Sequence, residues 1–215
     1  MAKKKSKVLR AFLVSALALA LILTGWIAWS FNVTHAQRPP RDFPAPTSLY
    51  DFGNVLVVYY SYGGNTAEVA GRIRDMTNGS LFEIETQKPY PSIPAIYIVA
   101  GLELRNGNLP ALKETVDDFS SYDVIFVGAP AWFYTVAVPA LSFLSNVDFK
   151  GKTVVPFATD GGNYGNFFVD FTKEARNANV VRGINFTNVS KTDVSSLDKN
   201  ISTWLEELKK VKNPS

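Results

Sequence analysis

The sequence predicts an α/β protein: a doubly wound, five-stranded parallel sheet preceded by an N-terminal hydrophobic helix. Three observations carry that expectation. Val55–Tyr59 is a nearly unbroken apolar run that enters a polar, glycine-bearing turn, Ser61-Tyr62-Gly63-Gly64-Asn65-Thr66. After Thr66 the apolar spacing changes, with Val69, Ala70, Ile73 and Met76 on one face and Glu68, Arg72, Arg74 and Asp75 on others. A continuous apolar run suits a strand buried on both sides, and the spacing that follows suits an amphipathic helix. From there to the C-terminus strand-like and helix-like segments alternate, as a parallel sheet with crossover helices requires.

The helix at the start is Ala11–Phe31, an uncharged stretch of 21 residues. At ~1.5 Å per residue it reaches about 31 Å, against roughly 30 Å for a bilayer core. The basic segment 1–10, with Lys3, Lys4, Lys5, Lys7 and Arg10, precedes it. That flank predicts a single-pass cell-membrane anchor, with the N-terminus cytoplasmic and the following domain exported. Trp26 and Trp29 fall where an interfacial belt would sit. The other reading is a signal peptide cleaved after Ala36, with Thr34 as the second small residue, which would make the domain secreted. Residues 32–53 form a spacer, stiffened by Pro39, Pro40, Pro44 and Pro46.

Residues 54–211 read as the folded domain. Strands are expected at Val55–Tyr60, Ser80–Thr86, Val124–Gly128, Thr153–Ala158 and Val180–Phe186. Helices are expected at Ala67–Met76, Pro139–Leu144, Phe167–Asn177 and Val194–Val211, with weaker patterns at Pro94–Leu104 and Leu109–Phe119. Gln87–Pro110 is long for a connection and fits a lid or binding loop, with Tyr90 and Tyr97 placed either to line the substrate side or, beside the prolines, simply to anchor the loop.

Composition excludes several chemistries. There is no cysteine, hence no disulfide, thiolate nucleophile or cysteinyl cluster. The one histidine is His35, outside the folded domain, so that domain has no imidazole base. The net charge of +3 belongs to the N-terminus. Residues 37–215 hold 17 basic and 19 acidic side chains, which is no nucleic-acid footprint. A bound cofactor is the expected source of any reactivity.

Ligands of a doubly wound sheet bind outside the carboxyl ends of its strands. Three loops are expected there. Ser61–Thr66 opens a helix and offers backbone N–H groups, glycine freedom and the side chains of Ser61, Asn65 and Thr66 to an anion. It is neither a P-loop nor the dinucleotide G-x-G-x-x-G pattern, and a mononucleotide phosphate fits it better. Ala129–Val136 carries Pro130, Ala131, Trp132, Phe133 and Tyr134. Trp132 is the candidate platform for a flat ring, and Phe133 is expected to pack beneath the loop. Thr159–Gly165 holds Thr159, Asp160, Gly161, Gly162 and Tyr164. Its tyrosine is placed either to cover a planar ligand or to face solvent.

The ordered segments VLVVYYSYGGNT, LFEIETQKPYP, YDVIFVGAPAWF and KTVVPFATDGGNYG resemble the flavodoxin superfamily. Within it, the Lys-Pro-Tyr segment and Pro-x-Trp loop are similar to the flavodoxin and FMN-dependent reductase-like group. The resemblance spans about Asn54–Leu208. It implies strand order 2-1-3-4-5 and non-covalent FMN. Ser61, Gly64, Asn65 and Thr66 would hold the phosphate, Pro130, Ala131 and Trp132 would flank the isoalloxazine, and Gly161, Gly162 and Tyr164 would line its pyrimidine side. Tyr62, Gly63, Phe133, Thr159 and Asp160 complete the expected cofactor-binding set. Asp160 reads as a turn-capping carboxylate, or as a group that lowers the flavin potential from near N1.

Two departures stand out. The group usually has Ser or Thr where Gly63 stands, so one hydroxyl donor is missing. It often has glycine where Tyr134 stands, and no glycine lies between Gly128 and Gly151. Without the peptide flip such a glycine permits, two-electron chemistry is favoured. The function expected is an exported, membrane-tethered FMN protein passing electrons or hydride to an unidentified redox partner or quinone. The alternatives are an FMN-dependent NAD(P)H or quinone oxidoreductase and a non-catalytic flavin-binding surface module.

Overall fold

The structure, a computed structural model, describes residues 2–33 and 50–212. The cleavage site considered after Ala36 and most of the proline-rich spacer lie outside the described residues. The chain divides into two compact units, one formed by the N-terminal helix with Pro89–Leu102 and the other by the rest of the described chain.

In the first unit, α1 spans Ala2–Asn32. Its Phe12–Asn32 portion is 21 residues long, and the most apolar 18-residue window within it has a mean hydropathy of 2.1 and no buried residue. It is long and apolar enough to cross a membrane. Pro89–Leu102 carries most of α3 (Ala95–Asn106).

The second unit is the α/β sheet. Its strands are β1 (Val55–Tyr59), β2 (Ser80–Glu83), β3 (Val124–Trp132), β4 (Thr135–Val136), β5 (Thr153–Asp160), β6 (Asn179–Val180) and β7 (Ile184–Thr187). They run in the order β2-β1-β3-β5-β6, with β4 on β3 and β7 on β5. All pairings are parallel except the short β3–β4 hairpin.

The described sheet therefore has seven strands instead of the expected five. One addition is β4. The other arises because the fifth strand is split into β6 and β7, which pair with the two ends of β5. Pro156 explains the gap. Val154 O accepts from Val181 N and Asp160 O accepts from Asn188 N, so the even-numbered residues of β5 point toward the fifth strand. Pro156 shares that parity and has no N–H to support the ladder there. With the two pieces taken as one strand, the order is the expected 2-1-3-4-5.

Helices α2 (Asn65–Thr77) and α6 (Val194–Lys212) cover one face, where Val57, Ile73, Phe126, Phe157, Leu197, Ile201, Trp204 and Leu205 form the core. Each large apolar side chain buried there contributes about 1.5–3 kcal/mol. The two helices are locked by Arg72, which donates from two nitrogens to the Asp198 carboxylate. The alternate residues Leu56, Val58, Ile125 and Val127 are equally buried. They face the side of α4 (Val138–Asn146) and α5 (Phe167–Glu174). No helix forms over Leu109–Phe119. Gln87 N donates to Ala111 O and Lys113 N to Glu85 O, so this stretch straps the chain beyond β2 in extended form.

Candidate functional site

The pairing register gathers the three loops. Tyr59 pairs with Gly128, Gly128 with Phe157 and Pro130 with Thr159, so β1, β3 and β5 end at one edge of the sheet.

At the end of β1, α2 begins one turn after Ser61. Gly64 caps it in the left-handed region (φ 86°), a conformation that costs a residue with a Cβ. Gly64 N donates to Ser61 Oγ at 3.1 Å, and both residues are buried. The first intrahelical bond runs from Glu68 N to Gly64 O. The N–H groups ahead of it precede the ladder and point out of the positive end of the helix. Thr66 Oγ1 lies 2.8 Å from Thr159 Oγ1, with each residue no more than 2% exposed. If Thr159 donates to Thr66, the Thr66 hydroxyl proton faces an anion at this helix end. A Cβ on Gly63 would meet nothing within 4 Å.

Trp132 stands edge-on to two tyrosines, 5.5 Å from Tyr60 and 5.8 Å from Tyr62 between ring centroids. Such contacts orient an indole before any ligand arrives. Burial, followed by the neighbouring Tyr62, Glu103 and Glu83, raises the Tyr60 hydroxyl far above its usual range. Burial and then Glu83 do the same to Tyr59, which donates to Glu83. Both phenols stay protonated. The sequence places Tyr60 only at the end of a strand. Its role as a wall for Trp132 needs the loop fold to be visible.

Trp132 pairs with Thr135 across a two-residue turn. Phe133 (φ 51°) and Tyr134 (φ 64°) both occupy the left-handed region, as the tight hairpin requires. For aromatic residues this is strained, and it projects them outward. Phe133 is 42% exposed and does not pack under the loop as expected. The turn is clamped from outside: Asn166 N donates to Tyr134 O at 2.7 Å, and Thr135 Oγ1 donates to Asp170 Oδ2. Gly165 makes that approach possible, since a Cβ there would lie 2.3 Å from Tyr134 O.

At the end of β5, Asp160 Oδ1 accepts from Gly162 N at 2.7 Å, the capping role expected of it. Its Oδ2 is buried with no hydrogen-bond partner. An orphaned acceptor beside an anion seat and an oriented indole suits a planar ligand that carries ring N–H groups. Gly161 and Gly162 are exposed, and Tyr164 is half-exposed, edge-on to Phe168 at 5.4 Å. A cavity of about 480 Å³ lies elsewhere, at the amino ends of the strands between Asp51, Asn78 and Ser121, and contains none of these loops. No cluster of three metal-ligating side chains occurs among the described residues.

No curated protein matches the chain at a significant level. Among solved structures, a protein from Bacteroides eggerthii DSM 20697 assigned as a flavoprotein is 31% identical, with a TM-score of 0.61. The match covers 71% of this chain and 96% of that one. A similarly assigned protein from Bacteroides uniformis ATCC 8492 is 26% identical over 70% of this chain and 98% of its own, also with a TM-score of 0.61. A flavoprotein from Lactobacillus acidophilus NCFM, solved in complex with FMN, shares the fold at 22% identity and a TM-score of 0.57, over 68% and 97% of the two chains. The sequence profile described as Flavodoxin matches residues 54–208, and the chain belongs to the flavodoxin family.

Proposed function

We propose that this flavodoxin binds FMN non-covalently at the three gathered loops and passes electrons or hydride to a redox partner or quinone. We also assign its folded domain to the extracytoplasmic side of the membrane, anchored by α1. The observation that carries the cofactor reading is the seat at Gly64–Thr66, with the oriented Trp132 and the unpartnered Asp160 Oδ2 beside it. The Lactobacillus flavoprotein solved with FMN supports it. When bound, the flavin supplies the redox chemistry. The chain's own residues bind and orient: Ser61, Gly64, Asn65 and Thr66 take the phosphate, Trp132 takes one ring face, and Asp160 Oδ2 accepts a ring N–H.

The test is the absorbance spectrum of the full chain, expressed with riboflavin and purified in detergent. Flavin bands are expected. A colourless protein that fails to quench added FMN would leave only a non-catalytic module. Rapid bleaching by NADH or NADPH alone would favour the oxidoreductase. A mature protein beginning at Gln37 would show that the anchor is removed.

Two variants probe the seat. Thr66→Ala should weaken FMN by about 1.5–3 kcal/mol, as expected for a hydrogen bond to a charged group, and riboflavin much less. Equal losses in a quenching titration would place the phosphate elsewhere. Gly63→Ser enters open space and restores a hydroxyl, so FMN should bind tighter by about 1 kcal/mol with riboflavin nearly unchanged.

A further inference from the structure

α3 does not have the surface of a helix that faces water. Its inner face, Ala95, Ile96 and Ala100, is buried. Its outer face presents Tyr97, Ile98 and Leu102, which are 59%, 43% and 52% exposed, and Ile93 just ahead is 47% exposed. No charged residue occurs between Lys88 and Glu103. Charge enters α3 only in its last turn, at Glu103 and Arg105; Ala95–Leu102 is apolar on both faces, a surface ordinarily enclosed by protein or lipid.

Two hydrogen bonds fix where this segment stands along α1. Ser92 N donates to Val33 O at 2.8 Å, satisfying a carbonyl just past the helix end. Ala95 N, the first amide of α3, donates to Ser30 Oγ at 3.2 Å, and Ser30 Oγ donates in turn to Ile27 O. Ser30 and Ala95 are both fully buried in this joint. The start of α3 is therefore level with the last two turns of α1, where Trp26 and Trp29 are exposed on the same helix. That level is where an interfacial aromatic belt sits around a spanning helix.

We propose that Ile93, Tyr97, Ile98 and Leu102 dock into the outer leaflet of the bilayer, making the Pro89–Leu102 segment an interfacial foot beside the anchor. Tyr97 sits at headgroup depth and Ile98 and Leu102 at the acyl boundary, as in helices that lie in a membrane surface. The proposal rests on α1 spanning the membrane. Its occupant is lipid, because the segment is tied by hydrogen bonds to a helix with the composition of a membrane span.

The chain has no cysteine, so single-cysteine variants report one site each. The full chain carrying Ile98→Cys or Leu102→Cys would be labelled with an environment-sensitive fluorophore. It would then be reconstituted into phosphatidylcholine vesicles with or without brominated acyl chains. Leu19→Cys serves as the reference within α1 and Lys173→Cys as the reference in water. Labels at 98 and 102 should emit to the blue of the Lys173 label, and brominated lipid should quench them to a large fraction of the loss at Leu19. Water-like emission at both sites, with Leu19 quenched, overturns the foot and leaves the anchor intact. Blue-shifted emission without lipid quenching also overturns it, pointing to a second copy or another protein on this face. Absence of quenching at Leu19 defeats the anchor itself.

Discussion

Trp132→Ala is expected to weaken FMN binding by about 1–3 kcal/mol through lost burial and stacking, or roughly 5- to 150-fold in dissociation constant. Tyr60 and Tyr62 hold the indole edge-on, so its orientation does not have to be established when the ligand arrives. Removing it takes away the platform and uncovers Tyr60, which is 6% exposed. Riboflavin should lose the same amount as FMN, since both carry the ring, and this separates Trp132 from Thr66, whose variant is expected to cost FMN more than riboflavin. Trp132→Phe should recover most of the affinity. A fluorescence-quenching titration with both ligands reads all three outcomes, and an unchanged FMN affinity in the alanine variant would remove Trp132 from the site.

Gly128→Ala is expected to produce the largest loss of stability. A Cβ at this position would lie 2.0 Å from the Phe157 ring. That ring is fully buried among Phe126, Val155 and Phe186, so it has no free volume into which to move. Overpacking a tight core costs about 1–3 kcal/mol, and contact at this range belongs at or above the upper end. The urea midpoint of the variant should fall accordingly. Phe157→Leu combined with Gly128→Ala should be less than additive, because the smaller side chain vacates the contested space. The variant that still folds should also bind FMN less well, because Gly128 leads directly into Ala129–Trp132. A midpoint equal to that of the parent protein would show that the sheet flexes at this point.

Much of this architecture was legible in the amino-acid pattern, and the failures have local causes. The buried strands announced themselves through unbroken apolar runs, and the Gly-Gly-Asn-Thr turn through its position between a strand and a helix. The hairpin at Phe133 and Tyr134 was not legible, because hairpins of this kind are usually signalled by Asn-Gly or Asp-Gly. Here, contacts to Asn166 and Gly165 hold two aromatics in the same conformation. For that reason Phe133 was assigned to the interior and is instead half-exposed. Leu109–Phe119 has helix-like spacing, but its backbone is taken up by hydrogen bonds to Glu85 and Gln87. The split of the fifth strand follows from Pro156, which is visible in the sequence. Its effect falls on a neighbouring strand, and only the hydrogen-bond parity of β5 reveals which one.

That interruption also bears on solubility. An edge strand with a long, regular row of unpaired amides and carbonyls is a template for strand addition by another molecule. Here the edge is broken into pieces of two and four residues, with Val181–Gly183 between them. The opposite border, β2, is only four residues long. Neither border offers an incoming chain enough continuous register to zip onto. An incoming strand would therefore meet only two to four residues of continuous ladder on either border.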